Sequence, residues 1–176
     1  MLEKLRTTGL SWLWLSVMVF ILDQWSKIKI IQNFEYGETV AVLPLFNLSY
    51  QRNPGAAFSF LAGQSGWQLW FFSGIAFFVT GLLCYWLAQQ PRDKLRLNIA
   101  YTLVIGGALG NVADRIMYGY VVDFIDLYWD VYHYATFNIA DVAISIGAAL
   151  VVLDAVIQMK QESKTSKEDI HKDTNS

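Results

Sequence analysis

Between Trp67 and Ala88 the chain carries no charged side chain, only a run dominated by Trp, Phe, Leu, Ala and Gly. About 20 such residues take a helix across a hydrocarbon layer, where the helix bonds its own backbone polar groups. Three other stretches are similar. Gly9 to Leu22 is apolar and runs directly into Asp23, Gln24 and Lys27. Leu97 to Ala113 is uncharged and continues to Tyr118 through Asp114 and Arg115, and Asn138 to Met159 is interrupted only by Asp141 and Asp154. The pattern predicts an all-α membrane protein with four transmembrane helices, at about 9–31, 67–88, 97–118 and 138–159. Composition agrees: charged residues make up 16% of the 176, against about a quarter in an average soluble protein. One membrane domain, residues 1–160, is expected, followed by a charged tail at 161–176 with no apolar face and no expected order.

Lys and Arg set the orientation, because cytoplasmic segments retain positive charge. Lys4 and Arg6 precede the first span; Arg92, Lys94 and Arg96 follow the second; Lys160, Lys164, Lys167 and Lys172 lie in the tail. The other two connections, 32–66 and 119–137, hold only Arg52 between them and are expected to face outward, with both termini cytoplasmic. Lys4 and Arg6 before an apolar core resemble a secretory leader, but Asp23, Gln24 and Trp25 follow where small residues would mark cleavage, so an uncleaved helix is expected. Val40–Val42 and Phe46–Tyr50, with Pro44 between them and a turn at Asn53-Pro54-Gly55, predict a small extracytoplasmic β-sheet over about 38–60. Asp126–Tyr134 is expected as a short interfacial helix or loop.

A net charge of −2 gives no reason to expect nucleic acid as a partner. The lone cysteine, Cys84, excludes an internal disulfide and suits packing. Neither histidine, His133 nor His171, sits in a zinc-ligand spacing or a nucleophile motif, so no metal is expected. A Ser–Lys pair drawn from Ser26 or Ser59 with Lys27 or Lys29 has no supporting flank.

Carboxylates remain. Ionisable groups in a span are costly and mark function by default. Asp23, Asp114, Arg115, Asp123 and Asp141 all fall near the outward ends of spans. Asp154 lies thirteen residues of helix beyond Asp141, on the order of 20 Å away, which assigns it to the cytoplasmic headgroups. Two aspartates in one site share a proton, which gives peptide hydrolysis a base for the water and an acid for the carbonyl oxygen or the leaving amine. Asp114, Asp123, Asp126, Asp130 and Asp141 are all candidates by position, though the polar or aromatic neighbours of Asp126 and Asp130 suit solvated side chains. Asp123 stands out as a single charge in Val121-Val122-Asp123-Phe124-Ile125. Asn138 and Asp141 also form a helix-start pattern, and the dipole there favours a carboxylate. Gly106 and Gly110 let helices approach closely. Gly107, Asn111 and Asp114 share a helix face, and Arg115 is suited to holding carboxylates through paired hydrogen bonds.

Taken together, Gly106–Arg115, Gly119–Ile125, Phe137–Asp141, Asn53–Ser59 and Asp23-Gln24 with Lys27 resemble the motifs of lipoprotein signal peptidases (signal peptidase II), in order and spacing, over about residues 10–157. The resemblance implies an intramembrane aspartic endopeptidase that cuts diacylglyceryl-modified bacterial prolipoproteins before the lipidated cysteine. It implies Asp123 and Asp141 as the catalytic pair. Asn53, Gly55, Asn111, Asp114, Arg115 and Asn138 would position substrate or the pair, and Asp23 and Lys27 would support the fold beside it. It implies no metal or organic cofactor, partners limited to prolipoprotein and membrane lipid, a monomer, and the bacterial inner membrane. The main rival reading is a small transporter, whose charges would lie near mid-bilayer; a non-enzymatic assembly protein is a second.

Overall fold

The computed structural model describes residues 6–55, 67–130 and 132–173, with side chains to residue 163. Lys4, Ser59 and the Ala56–Ser59 part of the turn motif lie outside the described residues, as does the end of the expected sheet region. A 3-10 turn, Gly9–Trp12, leads into α1 (Leu13–Asn33); β1 (Thr39–Leu43) and β2 (Phe46–Asn53) follow. Then come α2 (Trp67–Gln89), α3 (Leu95–Tyr118), β3 (Val121–Trp129), β4 (Tyr132–His133) and α4 (Ile139–Asp173). The molecule is mostly helical, with one small antiparallel sheet in the order β1-β2-β3-β4.

α2 and the first part of α4, Ile139–Ser163, are long and apolar enough to cross a membrane, with mean hydropathies of 1.8 and 2.2. α1 and α3 are comparably long but carry the polar groups that build the site. Large apolar side chains face outward on the helices: Trp70 and Phe78 are more than 70% exposed, as water would disfavour and lipid would accept. α3 is the central helix, packed against all three others. Its approach to α1 depends on glycine. A Cβ at Gly106 would lie 2.7 Å from the Ser16 carbonyl oxygen, and one at Gly110 would lie 2.5 Å from the Asp23 carboxylate. The pair serves close packing, and at Gly110 it makes room for a charged side chain.

Two apolar clusters flank the polar region. Leu83, Leu87, Ala100, Tyr101 and Ile105 pack near the α2–α3 turn; Ile30, Tyr50, Val122 and Phe124 pack where the sheet meets α1. The β1–β2 hairpin turns at Pro44 and Leu45, the latter at φ 70°. β2 pairs with β3 from Asn53↔Val121 to Phe46↔Leu127, with a register shift between Leu48 and Gln51.

Two expectations need correction. Asp126–Tyr134 is neither helix nor loop: its first four residues end β3, Asp130 turns the chain at φ 54°, and Tyr132–His133 form β4. The run Val121-Val122-Asp123-Phe124-Ile125-Asp126-Leu127-Tyr128-Trp129 is rich in β-branched and aromatic residues, which suit a half-buried strand. The tail is also helical, since α4 continues to Asp173. Its Gln, Glu and Lys residues are good helix formers, and they extend a helix already nucleated by the apolar segment.

Candidate active site

Asp123 and Asp141 enter the site from different elements, and asparagines join them. Asp123 lies on β3, opposite Gln51 of β2. Its two carboxylate oxygens accept hydrogen bonds from Asn138 Nδ2 at 2.7 Å and from Asn53 Nδ2 at 3.0 Å. Asp141 stands in the first turn of α4 and accepts from Asn111 Nδ2 at 2.8 Å and from the Asn138 backbone N–H at 3.2 Å. Asn138 Oδ1 in turn accepts the Asp141 N–H at 3.0 Å, a reciprocal helix cap. Asn138 therefore touches both carboxylates, one through its amide and one through the cap. The cap and the shared site are the same feature.

Asn53 is aimed by its own turn. Its Oδ1 accepts the Gly55 N–H at 2.9 Å, and Gly55 sits at φ 94°, a conformation that favours glycine. The amide is thereby left with Nδ2 facing Asp123.

Beneath this lies a charged cluster. Lys27, 1% exposed, places Nζ 2.8 Å from Asp23, 2.9 Å from Asp114 and 3.0 Å from Asn111 Oδ1. Those three bonds use all the ammonium protons, so Lys27 is unavailable as the base of a Ser–Lys pair, and Ser26 instead donates to the Asp23 carbonyl. Asp23 also accepts the Ala140 N–H at 2.9 Å, and Asp114 accepts the Val122 N–H at 3.0 Å. The cluster thus fixes the residue before Asp141 and the residue before Asp123. The chain Lys27, Asn111, Asp141 also aligns donors toward the second carboxylate.

Arg115 departs from expectation. Among the described residues it forms no ion pair; it donates to the Asn111 carbonyl at 3.2 Å and lies over the Phe72 ring at 5.6 Å. One helical turn from its acceptor, it bonds within its own helix, and its charge acts on the carboxylates only through space. Asp126 is not solvated either: it is buried and accepts from Asn47 at 2.9 Å, with His133 Nδ1 also at 2.9 Å. Asp154 pairs with Gln158 at 2.6 Å and lies 3.6 Å from Arg96. Gln24, given no role in the sequence reading, donates to Asp114 and to the Gly110 carbonyl. A neutral polar side chain beside Asp23 in an apolar run was its signal.

Asp123 is 2% exposed, and burial above all pushes its carboxyl up to about 6; the Asn53 bond opposes this and the nearby Asp141 charge reinforces it. The folded state holds this proton more tightly than the unfolded chain. The resulting stabilisation is present below about pH 4 and is lost as pH rises through about 6. The rise from 3.8 to about 6 corresponds to on the order of 3 kcal/mol. Asp123→Asn lacks the titration, so thermal melts in detergent should show the variant gaining on the parent between pH 4 and 7. A constant difference across that range would contradict the assignment.

A strand carboxylate and a helix-capping carboxylate are joined by amides in a mostly helical fold whose outward side chains are apolar, and the family the chain matches makes it a membrane peptidase of the aspartic type. The profile of the family described as "Signal peptidase (SPase) II" matches residues 15–157. The chain belongs to the signal peptidase II family. A lipoprotein signal peptidase of Shewanella halifaxensis is 52% identical over 160 residues, covering 91% of this chain and 94% of that one. That of Pasteurella multocida is 55% identical over 148 residues, covering 84% and 90%. A bacterial membrane enzyme solved by the in meso method at 2.3 Å is similar with a TM-score of 0.76 and 32% identity, over 86% of this chain and 90% of that one.

Proposed function

We propose that the chain removes signal peptides from diacylglyceryl-modified prolipoproteins by cutting before the lipidated cysteine, with Asp123 and Asp141 as the catalytic pair. The observation that carries this is Asn138, whose amide donates to Asp123 while its backbone caps with Asp141. Burial and the nearby Asp141 charge push the Asp123 carboxyl up to about 6, which favours Asp123 as the member of the pair that takes the shared proton. Asp141 lies at the amide-rich start of α4, where the helix dipole favours negative charge. Asp141 takes a proton from water, and the hydroxyl adds to the carbonyl carbon as Asp123 gives its proton to the carbonyl oxygen. The proton on Asp141 then passes to the cysteine nitrogen, the C–N bond breaks, and a hydroxyl of the collapsing diol returns its proton to Asp123. The signal peptide leaves with a new carboxyl group, and the lipoprotein leaves with a free amine.

Four crossings by α1 to α4, cytoplasmic termini and a site at the outer face of a bacterial inner membrane complete the reading. Lys and Arg placement and the outward apolar side chains support it. The substrate's signal helix then lies among the helices, its acyl chains stay in one leaflet, and the sheet covers the cut segment. Asn53, Gly55, Asn111, Asp114 and Asn138 set the pair's geometry, with Asp23 and Lys27 beneath them; Arg115 contributes charge. A monomer suffices, because both carboxylates and all their partners belong to one chain.

Proteoliposomes holding the full chain and a prolipoprotein, with and without its diacylglyceryl group, test the specificity. The lipidated form should be cut at least about 100-fold faster, since binding energy from the acyl chains is available to orient the bond. Equal rates would remove the lipid from the substrate definition.

A further inference from the structure

One cation beside the sheet takes no part in the catalytic reading. Arg52 is the single Lys or Arg in segments 32–66 and 119–137. Gln51 stands opposite Asp123 in the ladder and Arg52 opposite Val122, so the guanidinium lies on the face away from Asp123. That face packs Tyr50, Val122 and Phe124 against Ile30 of α1. The guanidinium carbon lies 4.7, 5.3 and 5.0 Å from the ring centroids of Tyr36, Tyr50 and Tyr120. Tyr36 comes just after the end of α1 and Tyr120 just after the end of α3, so the cage straddles both helix ends. Nε donates to Tyr50 Oη at 3.1 Å, while the terminal N–H groups find no acceptor among the described residues. The carboxylates flanking Tyr36 do not fill them. Neither Glu35 nor Glu38 forms an ion pair among the described residues, and Glu38 accepts the Glu35 N–H at 2.8 Å. Tyr50 Oη and Tyr120 Oη lie 3.2 Å apart, and whichever donates, one hydroxyl proton is left over beside the guanidinium.

We propose that this cage binds the phosphate of a membrane phospholipid, with the terminal guanidinium nitrogens and one tyrosine hydroxyl as donors. A planar fork held by rings matches two phosphate oxygens at once. Cation–π contact aims the group without using those donors. The lipid source follows from the surroundings. Tyrosines gather at headgroup depth, and the last two turns of α1 and α3 expose Ile28, Ile116 and Met117. Acyl chains would cover that surface, and a free phosphate ion would leave it bare. The outer leaflet is the source on the topology proposed above, on which the inference rests. Such a lipid would tie β2 to the ends of α1 and α3. It is distinct from the proposed substrate, whose diacylglyceryl group carries no phosphate.

The test titrates the full chain, freed of lipid in detergent, with phosphatidylglycerol, with diacylglycerol of the same chains and with inorganic phosphate, read by native mass spectrometry. Phosphatidylglycerol should bind at least about tenfold more tightly than either. One charge-assisted contact separates it from diacylglycerol, and acyl burial separates it from the free ion. Equal affinity for diacylglycerol would remove the phosphate from the recognition, and equal affinity for inorganic phosphate would remove the lipid. Arg52→Gln should weaken phosphatidylglycerol by at least about tenfold. Lys160→Gln, the same charge change beyond Asp154 on α4, should leave the affinity as it is. Parent affinity in Arg52→Gln, or an equal loss in Lys160→Gln, overturns the proposal. If Arg52→Gln does not fold, Arg52→Lys decides. It keeps the charge but loses the planar fork, so it should bind severalfold more weakly, and parent affinity overturns the proposal. Labelling judges the topology separately. Val42→Cys, exposed on β1, in a chain also carrying Cys84→Ser should react with an impermeant maleimide on spheroplasts. Absence of label defeats the outward placement and the outer leaflet as source, whatever Arg52 binds in detergent.

Discussion

Asp123→Asn and Asp141→Asn, each assayed with lipidated prolipoprotein in detergent or liposomes, should each lower kcat/KM by about 10⁴-fold or more, the scale on which members of a catalytic unit fail singly. An amide can neither take a proton from water nor carry the shared one, so either loss breaks the cycle. Combining them should cost little beyond the single losses, because both act in one step. Folding should survive. Asp123 accepts two amide bonds and an asparagine retains one acceptor; Asp141→Asn keeps an oxygen for the cap. Either variant cleaving within about tenfold of the parent, with a normal melting profile, would remove that residue from the chemistry.

Lys27→Met should act in the opposite way, on the fold before the chemistry. The change leaves Asp23 and Asp114 buried beside each other with no cation, and removing one partner from such a cluster costs about 3–5 kcal/mol. The melting temperature in detergent and the folded yield from membranes should both drop. Adding Asp114→Asn should recover part of the loss, since it removes one of the stranded charges, although Val122 then bonds a weaker acceptor. If Lys27→Met melts within about 1 kcal/mol of the parent, the cluster does not hold the helices together as described.

Long apolar runs made the helices legible, because lipid leaves the backbone few options. The β1–β2 hairpin was legible from Val40–Val42, Phe46–Tyr50 and the Asn53-Pro54-Gly55 turn. β3 was harder to see: its two aspartates interrupt any alternation, and its pairing depends on β2, separated from it by two helices. The isolation of Asp123 in an apolar stretch was readable from the residues, but which carboxylate shares an asparagine with it was not. That depends on Asn138 and Asn111, amides whose reach is set by tertiary packing and has no spacing rule. Arg115 misled for a related reason. Its charge suggested a carboxylate partner, whereas one helical turn back a carbonyl lay within easier reach. The tail was read from its polarity alone, and helix propensity carried it on from an existing helix.

The bond from the Asp23 carboxylate to the Ala140 N–H ties together residues separated by 117 positions. On the topology proposed above, a nascent chain holding three inserted helices has Asp123 but neither Asp141 nor the amide cap that braces it. With Asp123 and Asp141 as the catalytic pair proposed above, such a chain would be inert toward its neighbours and toward its own first helix. Activity would begin only once the final segment enters the bilayer and docks against the first, so synthesis order alone would keep an unfinished protease silent, with no propeptide required.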